Sequence, residues 1–318
     1  MEELPGGLGF GGAGVGNLRE AIDDHTAHAA IRQAWSRGVR YFDTAPHYGL
    51  GLSERRIGRA LGDLPRHEFA LSTKVGRLLV PRSIPGEQDT EGFAVPGDLE
   101  RRWDFSVDGI GRSVRESRER LGIERLDIVL VHDPDQAWEG AARDGLRVLA
   151  ELRSAGEIAA IGIGTNSTVG LVDLIEDGAL DVVMLAGRYT LLDHRAGLTV
   201  LEAAARHSVA VIIAGVFNSG LLATPRPIAH AHFEYRDADP DIVMRVHRIA
   251  DVCEAHGVDV PTVAMAFALR HRAVTRIVVG MRSPREVDEN ADRFDTAVPA
   301  AVWTDLVSIG LIDQRCVS

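Results

Sequence analysis

The chain alternates between short apolar runs and helical patterns, and few folds accommodate such an alternation over 318 residues. Eight of the runs have the length and composition of strands. Most of them are continuously apolar, as expected for parallel strands that helices cover. The eight candidate strands are residues 7–10, 39–43, 69–75, 126–132, 158–165, 181–186, 209–215 and 275–280.

Helical patterns lie between these runs. Residues 106–122 begin at Ser106, a suitable N-cap, and end at Gly122, a residue type that often terminates helices. Similar amphipathic patterns cover residues 27–38, 145–156 and 198–208. No linker rich in Pro, Gly or Ser divides the chain. The sequence therefore predicts one α/β domain over residues 1–318, with the (β/α)8 or TIM barrel fold.

Composition excludes several classes of partner and site. The net charge of −11 argues against binding to nucleic acid or to an anionic membrane surface. The expected partner is a small-molecule substrate. No apolar run is long enough to span a bilayer. Cys253 and Cys316 are far apart, and no Cys/His cluster predicts a metal site. Two unpaired thiols and the absence of a signal peptide at the N-terminus predict a cytoplasmic protein. The oligomeric state is left open.

Two long segments follow candidate strands three and seven. Residues 80–105 hold three prolines and many charges, and residues 216–240 form the second segment. Both are predicted to be loop insertions. They follow the C-terminal ends of strands, where barrel enzymes have their active sites. Long loops at that face are more often substrate lids than filler.

Four residues at the predicted strand ends suggest acid–base chemistry. Asp43, Lys74 and His132 end the second, third and fourth runs, and Tyr48 lies on the loop after the second. Free tyrosine has a pKa of about 10. A lysine ammonium beside it favours the phenolate and lowers that pKa, and an aspartate keeps the lysine charged. A nearby histidine can orient a substrate oxygen. The set fits proton exchange with a carbonyl/alcohol pair.

Each of these residues also has an ordinary structural explanation. A single aspartate at a strand end is usually a turn residue, a single tyrosine is usually core, and a single lysine is usually solvated. Only the joint placement after three successive strands favours a functional site. Asp133, which follows the histidine, is interpreted as a helix cap, with substrate binding as the alternative.

The sequence resembles the aldo-keto reductases. The motifs YFDTAPHYG (41–49), STKVG (72–76) and LVHDPD (130–135) are similar to the catalytic segments of that family, and GLGLSERRIGRAL (49–61) to the helix after the first. The resemblance implies Tyr48 as the general acid/base and Asp43 and Lys74 as the pair that tunes it. It implies that His132 orients the substrate. It further implies a nicotinamide cofactor, NAD or NADP, and no metal.

The same resemblance implies a set of cofactor contacts. Residues 161–166 and 185–193 resemble nicotinamide-binding segments, although Ala186 stands where many relatives have glutamine. Residues 215–222 resemble the pyrophosphate loop and 278–292 the adenosine-binding segment, while residues 9–14 are expected to line the site. The implied contacts are Asn166, Tyr189, Gly215, Phe217, Ser219, Leu221, Gly280, Arg282, Ser283, Glu286, Glu289 and Asn290.

Three further expectations concern specificity. A carboxylate at Glu286 would repel a 2′-phosphate, which favours NAD over NADP, although Arg282 and Arg285 are close enough to reverse this. His47 and Trp103 are candidate substrate contacts, with solvent exposure and loop packing as the respective alternatives.

Within the family, the motifs look most like the branch of aldose 1-dehydrogenases and pyridoxal 4-dehydrogenases. That resemblance implies oxidation of a sugar hemiacetal or alcohol to a lactone. NADPH-dependent reduction of aldehydes or ketones is the first alternative, and a non-catalytic barrel that senses cofactor is a distant one.

Overall fold

Eight parallel strands close into a barrel at the centre of the computed structural model, which describes residues 7–86, 88–136, 140–227, 232–233 and 236–317. The strands of the described residues are β1 (Gly7–Gly11), β2 (Tyr41–Asp43), β3 (Ala70–Val75), β4 (Arg77–Gly86), β5 (Gly97–Trp103), β6 (Leu126–His132), β7 (Ile158–Thr165), β8 (Val182–Ala186), β9 (Ala210–Ala214), β10 (His232–Phe233), β11 (Arg236–Asp237) and β12 (Val274–Gly280). In space the barrel strands follow the order β1-β12-β9-β8-β7-β6-β3-β2. All eight predicted strands are confirmed, and the barrel fold with them.

Helices surround the barrel and cover its apolar strands. They are α1 (Asp24–Ser36), α2 (Leu52–Leu61), α3 (Val107–Leu121), α4 (Ala141–Ser154), α5 (Leu171–Glu176), α6 (Arg195–His207), α7 (Pro240–Ala255), α8 (Val260–Ala268), α9 (Pro284–Asp295) and α10 (Ala300–Ser308). Within the described part of the chain, no helix combines the length and apolar character needed to cross a membrane.

The helix limits follow from local chemistry. Ser106 caps α3 by accepting a hydrogen bond from the backbone N–H of Gly109, and Gly122 ends that helix with a left-handed backbone, as predicted. Helix α1 begins three residues before the predicted start, because Asp23 accepts from the backbone N–H of Thr26. The apolar pattern locates a helix only where its buried face begins, so a polar first turn is missed.

The predicted loop over residues 80–105 is in large part a β-hairpin. Strands β4 and β5 pair antiparallel, with Arg77 opposite Trp103 and Pro81 opposite Leu99. Prolines argue against a central strand, but this sheet has only two strands and both have a free edge. The segment therefore forms a hairpin over the C-terminal face of the barrel.

The predicted loop over residues 216–240 contains short ordered pieces. A 3-10 helix spans Asn218–Gly220, and β10 pairs with β11 in a two-stranded antiparallel sheet. Residues 228–231 and 234–235 lie outside the described residues.

The barrel interior is filled by side chains. The ring of Tyr41 is 1% exposed inside the barrel, and the guanidinium carbon of Arg276 lies 4.6 Å from its centre. Gly9 leaves space for this ring, since a Cβ at that position would lie 2.8 Å from a tyrosine ring carbon. A packed interior leaves the strand ends and their loops as the place for chemistry.

Candidate active site

Asp43, Lys74 and Tyr48 form a hydrogen-bonded chain at the C-terminal ends of β2 and β3. The Lys74 ammonium donates to both carboxylate oxygens of Asp43, at 2.9 and 2.7 Å. It also donates to the Tyr48 hydroxyl oxygen at 3.1 Å and to the Thr44 carbonyl at 2.9 Å. Lys74 is only 2% exposed, and these four contacts fix the position of its charge. The chain connects a buried carboxylate to the phenol through one ammonium group.

The loop that carries Tyr48 is held by close backbone contacts. Gly49 and Gly51 have left-handed backbones, with φ of 63° and 81°. A Cβ on Gly49 would collide with the backbone carbonyl of Gly16, and a Cβ on Gly16 would lie 2.9 Å from the Tyr48 backbone. Only glycines allow these two loops to approach so closely. The loop after β1 therefore supports the position of Tyr48.

Asp43 is oriented by a second chain inside the barrel. The Ser72 hydroxyl donates to Asp43 Oδ1 at 2.6 Å, and the Tyr41 hydroxyl donates to Ser72 Oγ at 2.7 Å. All three residues are at most 3% exposed. Neither Ser72 nor Tyr41 was predicted from the sequence. Ser72 lies two residues before Lys74 on β3, and Tyr41 lies two residues before Asp43 on β2. Residues two apart on a strand share a face, so this spacing is the signal that could have found them.

His132 lies beside Tyr48 at the end of β6. The two ring centres are 5.9 Å apart and the planes are nearly perpendicular, at 87°. His132 is 7% exposed, and its ring centre is 5.5 Å from that of His47. The structure thus brings the four predicted catalytic residues together, with His47 next to them rather than in solvent.

Burial sets the protonation of both histidines. Desolvation lowers the pKa of His132 well below its usual range, and the positive charges of Lys74, Arg77 and Arg101 add to the effect. Desolvation and the same three cations lower the pKa of His47 to about 2. Both imidazoles are therefore neutral at physiological pH and can act as hydrogen-bond donors without carrying charge.

Two opposing effects set the pKa of Tyr48. Desolvation, together with Asp43, raises it to about 12, and Lys74 lowers it, as expected from the sequence, but by less than desolvation raises it. The sequence reveals the neighbouring charge but not the loss of solvent. For Lys74 itself, burial alone would lower the pKa, but Asp43 and Tyr48 raise it above its ordinary value. The resting site holds a protonated tyrosine and a charged lysine.

A set of charged residues borders His132. Arg77, the first residue of β4, donates to Asp133 Oδ2 at 2.7 Å, and that oxygen lies 3.5 Å from His132 Nε2. The Asp133 carboxylate thus pairs with an arginine of the hairpin rather than serving mainly as the expected helix cap. Sequence reasoning did not identify Arg77 as a site residue, since its location depends on the hairpin.

The hairpin also packs on the tyrosine loop. Arg101 forms a buried ion pair with Asp89 and donates to the His47 carbonyl at 2.8 Å. Phe93 stacks on Tyr48 with ring centres 6.1 Å apart. Trp103 stacks on Phe105, and the Arg77 guanidinium carbon lies 4.4 Å from the centre of the Trp103 ring. Of the two alternatives for Trp103, the structure thus supports loop packing.

A groove of about 430 Å³ lies between the loop after β1, the loop after β9 and the end of β12. Six of the predicted cofactor contacts line it, namely Gly215, Phe217, Ser219, Gly280, Arg282 and Glu286. Ala13, Gly14, Leu18, Arg19, Val216, Asn218 and Met281 line it as well. Of these, Ala13 and Gly14 fall in the 9–14 segment expected there, Val216 and Asn218 in the 215–222 segment, and Met281 in the 278–292 segment, whereas Leu18 and Arg19 had no motif to mark them.

The groove fits an elongated cofactor. Both Gly220 and Gly280 line it, and no atom lies within 4 Å of the position that a Cβ would take at either residue. A side chain there would project into open space that a ligand could use. Asn218 is 6% exposed, and its Oδ1 has no hydrogen-bond partner. Such a buried polar atom in the wall is suited to a bound polar group.

Tyr189 lies elsewhere, and its expected packing near the nicotinamide is not supported. Its ring is fully buried and stacks on Phe267 of α8, with ring centres 5.1 Å apart. It is also next to His271 and Cys316, in the core between barrel and helices. The motif placed the residue near a strand end but could not show which way its side chain points.

The other predicted contacts are not part of the groove lining. Asn166 is exposed at the end of β7, and Leu221 is buried. Ser283 caps α9 by accepting from the backbone N–H of Glu286, and Glu289 pairs with Arg285. Asn290 is buried, and its Oδ1 has no partner. Cofactor contacts at these five positions stay a prediction.

Comparison with known proteins agrees with this arrangement. The aldo/keto reductase family profile matches residues 7–310. The chain belongs to the aldo/keto reductase family. It is 42% identical to a D-threo-aldose 1-dehydrogenase from a Pseudomonas species over 309 residues, covering 96% of this chain and 94% of that protein. It is 38% identical over 323 residues to a pyridoxal 4-dehydrogenase from Microbacterium luteolum, with the same two coverages.

A solved structure has the same fold. A glycerol dehydrogenase from Gluconobacter oxydans superposes with a TM-score of 0.76 over 96% of this chain and 94% of that one, at 24% sequence identity. Membership of the aldo/keto reductase family makes the chain an oxidoreductase, and the family uses nicotinamide cofactors. Among the described residues, no three His, Cys, Asp or Glu side chains are grouped as metal ligands.

Proposed function

We propose that this aldo/keto reductase oxidises a sugar hemiacetal or a related alcohol to a lactone, with Tyr48 as the general base. The chain of Tyr48, Lys74 and Asp43 beside a neutral His132 carries the proposal. The relatives that act, by their names, on aldoses and on pyridoxal support this substrate class.

Each residue has a defined part in the proposed reaction. Tyr48 acts in its deprotonated form: the Lys74 ammonium at 3.1 Å stabilises the phenolate, and the phenolate accepts the substrate hydroxyl proton as the C–H bond breaks. Asp43 keeps Lys74 charged and in place. His132 donates a hydrogen bond to the reacting oxygen. A nicotinamide, when bound, supplies the hydride acceptor.

NAD is the proposed cofactor. Glu286 accepts hydrogen bonds from the Arg282 backbone N–H at 2.9 Å and from its Nε at 3.2 Å. The same guanidinium donates to Glu20 at 2.6 Å. The Arg282 charge is thus balanced by two carboxylates, one of which lines the groove. A 2′-phosphate would meet this negative charge, whereas a ribose hydroxyl could donate to it.

Cofactor preference can be tested by removing that charge. Replacement of Glu286 with Gln should raise the ratio of kcat/KM for NADP to that for NAD by about tenfold or more, because one repelling charge is lost. Asp292→Asn is the matched control, since it removes a charge on the same helix, where Asp292 pairs with Arg37 outside the groove. Equal or better use of NADP by the native enzyme would contradict the proposal.

The activity itself is tested by nicotinamide absorbance at 340 nm. The enzyme is supplied with NAD or NADP and with L-fucose, L-galactose, D-arabinose or pyridoxal. A Tyr48→Phe variant should bind cofactor with unchanged affinity, measured by fluorescence, and should lose nearly all turnover. Unchanged turnover in that variant would refute the assigned role of Tyr48.

Reduction of an aldehyde or ketone is the second candidate, and one observation favours it. The pKa of Tyr48 is raised to about 12, so the resting residue is protonated and ready to act as an acid. Activity restricted to NADPH with simple aldehydes in the same assay would support this candidate. It would also overturn the interpretation of Glu286.

The buried thiols of Cys253 and Cys316, both free, support the further proposal of a cytoplasmic location.

A further inference from the structure

Asp133 has an unusual backbone conformation next to the catalytic histidine. Its φ is +40°, in the left-handed region that few residues other than glycine adopt. This conformation follows directly on His132, at the point where β6 ends. Backbone strain of this kind persists only where the surrounding structure maintains it. Here it turns the aspartate side chain back towards the imidazole.

Two contacts hold the Asp133 carboxylate in that position. Arg77 Nη2 donates to its Oδ2 at 2.7 Å, and the backbone N–H of Asn166 also donates to the carboxylate. Arg77 is itself fixed, since its guanidinium lies over the Trp103 ring and its side chain is only 9% exposed. The hairpin thus anchors a negative charge 3.5 Å from His132 Nε2.

A neutral imidazole has one N–H, and its neighbours decide which nitrogen carries it. Positive groups surround His132, namely Lys74, Arg77 and Arg101, with the neutral His47 also close. The negative group beside the ring is Asp133, at Nε2. A lone pair on Nε2 would face this carboxylate and be repelled, whereas an N–H there is attracted to it. The carboxylate therefore favours the proton on Nε2.

We propose that Asp133, held by Arg77, is a positioning residue that keeps His132 in the Nε2–H tautomer, so that this N–H donates to the reacting oxygen of the substrate. The tautomer follows from the contacts alone, and the direction of the N–H towards substrate rests on the proposed function. The residue acts through His132 and not by proton transfer of its own.

Nitrogen NMR of the full-length, 15N-labelled enzyme tests the tautomer without substrate. Two-bond correlations distinguish Nε2–H from Nδ1–H, and a His132→Gln variant identifies the signals of this ring. We expect Nε2–H in the native enzyme. In Asp133→Asn an amide N–H can face the ring, so we expect Nδ1–H or a mixture. Asp135→Asn removes a charge from the same segment and should leave Nε2–H. An unchanged tautomer in Asp133→Asn overturns the proposal.

A double-mutant cycle on turnover tests the catalytic consequence. Asp133→Asn should lower kcat by about 10- to 100-fold, as replacement of a residue that orients a site ligand typically does. In the His132→Gln background the same change should lower kcat by less than about threefold, because residues that act as a unit are not additive. Asp135→Asn should leave kcat unchanged in both backgrounds.

Equal losses in both backgrounds would overturn the proposal, since Asp133 would then act independently of His132. If Asp133→Asn does not fold, Asp133→Ser removes the same charge in a smaller side chain and is read by the same two measurements. Absence of sugar oxidation by the native enzyme refutes the proposed function and leaves the NMR test of the tautomer valid.

Discussion

Replacement of Lys74 with Met should destabilise the protein, because it leaves the buried Asp43 carboxylate without its counter-charge. Asp43 has a side chain that is 4% exposed, and Lys74 provides two of its hydrogen bonds and its counter-charge. Breaking a buried pair by removal of one partner typically costs about 3–5 kcal/mol. At about 2.1 cal/mol/K of unfolding entropy per residue, a chain of this length should lose about 4–8 °C in Tm.

The loss should depend on the partner residue. The double variant Asp43→Asn, Lys74→Met has no buried charge at this site and should regain about 2 kcal/mol. It should still lack turnover, because the donor to Tyr48 is gone.

Urea unfolding at pH 8, followed by circular dichroism, measures all three proteins. The reasoning is refuted if Lys74→Met unfolds within about 1 kcal/mol of the native protein at pH 8. It is equally refuted if the double variant is less stable than the single one. Either result would mean that solvent or another cation reaches Asp43.

Three further predictions concern residues around the site. His47 has its pKa lowered to about 2, so the folded protein stays neutral there while the unfolded chain gains a proton below pH 6.5. Stability should fall as pH drops below that value, and His47→Gln should make the slope shallower by up to about 1.4 kcal/mol per pH unit in urea unfolding. Ser72→Ala leaves the buried Tyr41 hydroxyl without its acceptor and should cost about 1–3 kcal/mol of unfolding free energy. The double variant with Tyr41→Phe should regain part of this loss, and no recovery would contradict the hydrogen bond. Glu54 is fully buried and accepts hydrogen bonds from Arg120 Nε at 2.6 Å and Thr73 Oγ1 at 2.7 Å. Glu54→Gln should therefore lose about 2–3 kcal/mol of unfolding free energy in the same assay and retain turnover. A large loss of turnover at full stability would contradict a structural role.

The sequence predicted what depends on strand periodicity and on residues at strand ends. The apolar runs located all eight barrel strands, and the closed barrel then brought Asp43, Lys74 and His132 to one face. These inferences succeed because parallel strands all present their C-terminal ends to the same side. Tyr48 joined them because its loop starts at one of those ends.

Features that depend on tertiary surroundings were beyond the sequence. The hairpin of β4 and β5 contains prolines and charges, and it is recognisable only from the pairing of its two strands. Tyr189 lies near a strand end, yet its side chain points into the core, and no local pattern specifies that direction. The raised pKa of Tyr48 results from burial by residues such as Phe93, which lies 45 positions away in the chain.

The contact between the loops after β1 and β2 couples the groove to the position of Tyr48, which the separate sequence motifs do not reveal. Gly14 lines the groove that is the candidate cofactor site, and Gly16 touches the backbone of Tyr48 and Gly49. The turn that borders the groove is therefore the turn that supports Tyr48. Because neither contact has room for a Cβ, a shift of one loop must displace the other. The position of the groove wall and the alignment of the Tyr48 hydroxyl are thus determined by the same few backbone atoms.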